Sequence, residues 1–280
     1  MQFGAMMFPT DYAIDPVRLG QELETRNFDS VFFPEHTHIP TSRLSAFPSG
    51  GDLPDEYKHT IDPFVALGAI AATTTRLKLG TGILLVIQRD TITTAREVAS
   101  LDHISNGRFL FGIGAGWNRE EMANHGTHFP KRWRLMREQM LAMKEIWTKE
   151  ESEYHGEFVN FDPIWQWPKP VQQPHPPIII GGDGPKAIEA LLEYGTGWIP
   201  RPQDRFAPLA DRIADVNRQL AERGREPVPI WVFGAPLDPA KIEEFAKAGV
   251  DSCVFRLPPT GPDDALRAID QCTEVMKHFA

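Results

Sequence analysis

Apolar residues fall along this chain in short blocks separated by longer polar, helix-forming stretches. Blocks at 2–8 (QFGAMMF), 29–34 (DSVFFP), 77–87 (LKLGTGILLVI) and 108–114 (RFLFGIG) read as strands. Four more follow at 178–181 (IIIG), 196–199 (TGWI), 228–234 (VPIWVFG) and 251–256 (DSCVFR). They are apolar on both faces, as expected of a parallel sheet covered on both sides. Asp15-Pro16 and Asp62-Pro63 each place a capping carboxylate before a proline suited to the first helical position. The pattern predicts further helices over 91–105, 130–149, 184–194, 204–223, 238–248 and 263–279. Strand and helix alternate eight times, which favours a closed (β/α)8 TIM barrel of the α/β class over an open doubly wound sheet.

Two connections are longer than compact domains usually keep without a reason, at about 35–60 and about 150–177. The first follows strand two and so belongs to the C-terminal face of a barrel, where active sites gather. The second precedes strand five and starts on the opposite face, so a structural clasp is expected rather than a lid. No linker or short repeat interrupts the chain. Its 280 residues fit one barrel domain over 1–280, since such barrels run to roughly 250 residues.

A net charge of −9 and the lack of a concentrated basic run argue against a nucleic-acid or anionic-membrane surface. No apolar run reaches the ~18 residues of a membrane helix, and no signal-like segment opens the chain. Cys253 and Cys272 share no metal or redox spacing. A cytoplasmic protein with two inert thiols is expected.

Four stretches could carry chemistry. VFFPEHTHIP follows strand two with Glu35, His36 and His38. Zinc needs three or four protein ligands, and the other histidines show no confirming spacing, so no metal site is expected and a general acid or base is the better reading. LGTGILLV places Gly80 and Gly82 in a strand, where glycine marks tight packing, a bulge or a ligand's close approach. FGIGAGWNREE offers Gly112, Gly114 and Gly116 as a small-residue floor for a flat ring, ahead of a helix with acidic residues. IIIGGDGPKAIEALLEYG sets Gly181, Gly182 and Gly184 before a helix, a natural anion site. Asp183 would oppose phosphate there unless it points away, and Lys186 could offset it. Trp117 and Trp133 lie near the mouth of strand four, and Trp165 and Trp167 in the Pro-rich segment; each suits stacking or plain packing.

Taken together, RLKLGTGILLVIQRDTITTAREVASLDHISNGRFLFGIGAGWNREE (76–121), FFPEHTHIP, PKPVQQPHPPIIIGG and GTGWIP resemble, in order, the signatures of the luciferase-like monooxygenase superfamily. The agreement runs from residue 1 to about 200 and weakens in the last quarter. Within the superfamily the chain looks most like the branch, common in actinobacteria, that uses deazaflavin coenzyme F420 rather than FMN. The resemblance implies a barrel and a homodimer. It implies a non-prolyl cis peptide at Gly82–Ile83 behind the deazaflavin ring, Ala115 and Gly116 against the ring or ribityl chain, and Gly181, Gly182 and Gly184 around the phosphate. Glu35 and His36 match the acidic-His pair of F420 dehydrogenases, with His36 as acid or base oriented by Glu35. The basic substrate site of the sugar-phosphate dehydrogenases has no counterpart.

These readings imply an F420-dependent oxidoreductase that passes a hydride between the deazaflavin and a small organic substrate. The alternatives are an FMN monooxygenase using reduced flavin and oxygen, and a non-catalytic cofactor-binding protein.

Overall fold

The computed structural model describes residues 1–202 and 207–279. Eight strands form one parallel sheet: β1 (Gln2–Met6), β2 (Ser30–Phe33), β3 (Lys78–Thr81), β4 (Phe109–Ile113), β7 (Ile178–Gly181), β8 (Gly197–Ile199), β9 (Trp231–Phe233) and β10 (Ser252–Arg256). Their order is β8-β7-β4-β3-β2-β1-β10-β9. A single parallel bridge, Trp198 to Ile230, joins the two ends and closes the barrel. β5 (Glu151–His155) and β6 (Asn160–Trp165) stand apart as an antiparallel pair.

Alternation along each strand divides the core in two. Phe32, Leu110, Ile179, Ile199, Trp231 and Val254 pack inside the barrel, with Met6, Ile83 and Phe233 against them. Their strand neighbours, such as Val31, Phe33, Phe109, Phe111, Ile180 and Phe255, face the surrounding helices. Two of the singled-out glycines serve this packing. A Cβ at Gly80 would lie 2.2 Å from the Phe32 ring, and one at Gly112 would lie 2.0 Å from the Thr81 carbonyl oxygen.

The helices are α1 (Pro16–Thr25), α2 (Pro63–Ala71), α3 (Thr91–Ile104), α4 (Arg119–Asn124), α5 (Arg132–Thr148), α6 (Pro185–Glu193), α7 (Leu209–Ala221), α8 (Pro239–Lys247) and α9 (Pro262–Met276). Asp15 and Asp62 cap α1 and α2 as their sequence contexts require, each accepting two backbone N–H bonds just ahead of the proline turn. Residues 204–206, where the helix expected over 204–223 was to begin, lie outside the described residues; α7 starts at Leu209.

Two expectations need correction. The strand read over 77–87 ends at Thr81, and Val86–Gln88 form a 3₁₀ turn. There the Leu85 N–H bonds the Glu35 carboxylate instead of a neighbouring strand. The connection at 150–177 is not loop throughout, since its first part is the β5–β6 hairpin. Glu138 on α5 accepts bonds from the N–H groups of Glu157, Phe158 and Val159 at the hairpin tip. Beyond the hairpin, Gln166 donates to the Ile92 carbonyl, Lys169 to those of Ile146 and Lys149, and Gln172 to Asp102. The segment is thereby fastened to α3 and α5. Among the described residues, no helix is long and apolar enough to cross a membrane.

Candidate active site at the C-terminal end of the barrel

A cavity of about 610 Å³ opens where β3, β4, β7, β8 and β9 end, the face on which barrels carry their chemistry. Gly82, Ile83, Ala115, Gly116, Gly181, Gly182 and Gly184 all line it. Three chain segments that are far apart in sequence thus meet around one space. Trp117, Trp133, Ile199 and Phe233 add apolar and aromatic wall.

Small residues are needed here because Ile83 occupies the floor. Gly82–Ile83 is a cis peptide, as the resemblance implied. A Cβ at Gly114 would come within 2.9 Å of the Ile83 side chain, and one at Gly181 within 2.7 Å. Gly116 and Gly182 have φ of +62° and +114°, values that disfavour a side chain.

The glycine turn before α6 carries no side-chain cap, so its first N–H groups have no side-chain acceptor. Asp183 also lines the cavity, but its carboxylate is occupied. Its carboxylate accepts the Arg201 N–H at 3.1 Å and the Arg212 guanidinium at 2.5 Å. Burial pushes the Asp183 carboxyl up, against the opposing pull of the Arg201 N–H and the guanidiniums. Trp198 Nε1–H holds the Gly182 carbonyl at 2.8 Å. Lys186, on the first turn of α6, is exposed and pairs with Glu189 at 2.7 Å. The residues present fit a flat ring with a phosphate tail: an apolar floor, small walls and an uncapped helix start.

Glu35 and His36 do not act as a pair, which corrects the expectation that one orients the other. Glu35 accepts bonds from Arg89 Nε at 2.8 Å, from Arg89 Nη2, and from the Leu85 N–H at 2.8 Å. Arg89 also reaches Asp62 (2.5 Å) and Glu97 (3.2 Å). Burial pushes the Glu35 carboxyl up, while Arg89 and the Leu85 N–H pull it back. Glu35 therefore pins the segment that follows Ile83.

The partner of His36 is Glu121, which the sequence reading missed. His36 Nδ1 lies 2.7 Å from Glu121 Oε2, and Glu121 Oε1 accepts the Thr37 N–H at 3.2 Å. The Glu121 side chain is fully buried. Asn118 caps α4 by accepting the Glu121 N–H, which places Glu121 on the first turn above β4. The acidic start of this helix was visible in WNREE; its distance of 85 positions from His36 hid the contact. His36 is not itself part of the cavity lining; its ring lies 5.7 Å from that of Trp117, which is, and 5.2 Å from that of Tyr57.

His38 bonds Asn124 and Thr37, and Thr37 reaches His125. Trp165 and Trp167 are exposed on and beyond the hairpin and do not reach the cavity, whereas Trp117 and Trp133 do. Cys253 and Cys272 are unpaired and buried.

The sequence profile described as luciferase-like monooxygenase matches residues 6–248. An uncharacterised protein of Mycobacterium tuberculosis is 38% identical over 276 residues, 97% of each chain. Pyrimidine monooxygenase RutA of Rhizobium rhizogenes is 29% identical over 214 residues, 72% of this chain and 56% of its own. An F420-dependent hydroxymycolic acid dehydrogenase of M. tuberculosis is 27% identical over 206 residues, 72% of this chain and 54% of its own. Among solved structures, monooxygenase RslO1 of Streptomyces bottropensis superposes with TM-score 0.82 at 20% identity over the whole of both chains. The coenzyme F420-dependent tetrahydromethanopterin reductase of Methanopyrus kandleri gives 0.75 at 20%, over 100% of this chain and 99% of its own. These two show the same barrel fold.

Proposed function

The chain belongs to the luciferase-like monooxygenase family, and from that premise we propose that it is an F420-dependent oxidoreductase acting on a small organic substrate. The observation that carries the reading is the convergence of Gly82, Ile83, Ala115, Gly116, Gly181, Gly182 and Gly184 on one cavity, with the His36–Glu121 pair beside Trp117. When bound, the deazaflavin supplies a ring carbon that accepts or gives a hydride. The chain's own residues do the rest. Ile83 would support the ring, the glycines at the ends of β4 and β7 would allow its close approach, and the uncapped start of α6 would take the phosphate. Glu121 holds Nδ1 of His36, which leaves Nε2 as the nitrogen open to proton exchange with a substrate seated at the Tyr57–Trp117 side of the cavity mouth. Glu35 acts at a distance by fixing the segment after Ile83. The homodimer of the family belongs to the same proposal.

Equilibrium titration with F420 and with FMN tests the cofactor. Micromolar binding of F420 and weak or no binding of FMN is the expected result. Tight FMN binding with no F420 binding sinks the reading and favours the second one, an FMN-dependent monooxygenase, which the likeness to pyrimidine monooxygenases supports. Oxygen consumption with reduced FMN would then follow.

A further inference from the structure

We infer that a basic groove between α5 and α6 binds the oligoglutamate chain that coenzyme F420 carries beyond its phosphate. The inference rests on the F420 reading above and extends it to residues outside the ring cavity.

The groove is a separate cavity of about 410 Å³, lined by Arg132, Arg134 and Arg137 of α5 and by Lys186, Glu189 and Glu193 of α6. Trp133 lines both this groove and the ring cavity, so the two are neighbours across one side chain. The groove begins at the first turn of α6, next to Gly184, and follows the helix to Glu193, about 10 Å at a rise of about 1.5 Å per residue. FMN ends at its phosphate. In F420 the phosphate is a diester, and a γ-linked glutamate chain continues from it. A chain leaving a phosphate at Gly181–Gly184 would have this groove beside it, across Trp133.

The charges suit a polyanion. Four cationic side chains face two carboxylates there, in a protein whose net charge is −9. Three of the cations are engaged in exposed ion pairs: Arg134 with Glu157, Arg137 with Glu193 and Lys186 with Glu189. Exposed pairs of this kind are weak and exchange partners readily. Arg132 differs. Among the described residues it meets no carboxylate; its Nη1 donates to the Phe129 carbonyl at 3.0 Å, and its buried Nε has no partner. Its guanidinium lies 3.8 Å over the Phe129 ring, and that of Arg119 lies 4.3 Å over the same ring. Two neighbouring cations held against one aromatic ring make a ready counter-charge for a carboxylate.

The test compares F420 carrying several glutamates with F420 carrying none, by quenching of coenzyme fluorescence in low and high salt. The long form is expected to bind about tenfold tighter at low ionic strength, with the gap closing as salt rises. Arg132→Gln and, separately, the charge reversal Arg134→Glu should each shrink that gap and leave the affinity for the tail-less form unchanged. Arg134 is exposed, so its variant folds even if Arg132→Gln does not. Equal affinity for the two forms at low salt overturns the groove alone. Binding of neither form overturns the F420 reading together with it.

Discussion

Glu121 engages His36 Nδ1 and the Thr37 N–H through separate oxygens, so exchanging one oxygen for an amide has a definite consequence. In Glu121→Gln the remaining oxygen keeps Thr37, and the amide N–H donates to Nδ1. The imidazole then carries its proton on Nε2 and can no longer accept one there. The expected result is a fall in kcat of about a hundredfold, the lower range for loss of acid–base catalysis, with coenzyme affinity unchanged. The pH–rate profile should shift with it. Glu35→Ala should behave differently. It takes one of three carboxylates from partly buried Arg89 and the acceptor from the buried Leu85 N–H, and should cost about 1–3 kcal/mol of stability, read as a fall in melting temperature. Equal effects of the two substitutions on the pH–rate profile would refute the division of roles. Cys253 and Cys272 need no role: burial pushes both thiols up to about 12, so the folded protein should resist a thiol reagent at about pH 8 and react once unfolded.

At the level of elements, the hairpin and the Pro-rich segment are held by few, identifiable bonds. Glu138→Ala removes the acceptor of three N–H groups at the hairpin tip, which should cost about 1–3 kcal/mol in thermal unfolding. His175, buried in the Pro-rich segment, has its pKa lowered by burial. The unfolded chain therefore takes up a proton near pH 6.5 that the folded one declines. Stability from this group is complete above about 6.5 and falls as the pH drops toward the lower folded value. Melting temperature should decline across that window. These elements also show what the sequence made legible. Strands with both faces apolar and the two Asp-Pro helix starts could be read directly, because burial and capping are local. The hairpin was missed because ESEYHGEFVNF alternates weakly and one of its faces packs on α5. The early end of β3 depends on a bond from Leu85 to a carboxylate fifty positions away, which no local pattern encodes.

For the whole molecule, the barrel pattern was legible because eight alternations leave little choice of topology. The glycine-lined cavity was legible as a set of motifs, and the resemblance supplied their common purpose. What stayed hidden was pairing across the barrel mouth, above all Glu121 with His36, since it arises only when β2 and β4 are set on either side of β3. The ring of strands is also unequal. Elsewhere neighbouring strands share two or more residue pairs, whereas among the described residues β8 is bridged toward β9 at the one pair Trp198–Ile230, just ahead of β9. That seam borders the cavity through Ile199 and Phe233. Backbone amides in the seam should therefore lose their protons to heavy water before those of β1, β2 and β10. A bound coenzyme that touches both sides should slow that exchange more than any other, which makes the seam an isotopic gauge of occupancy even before a substrate is known.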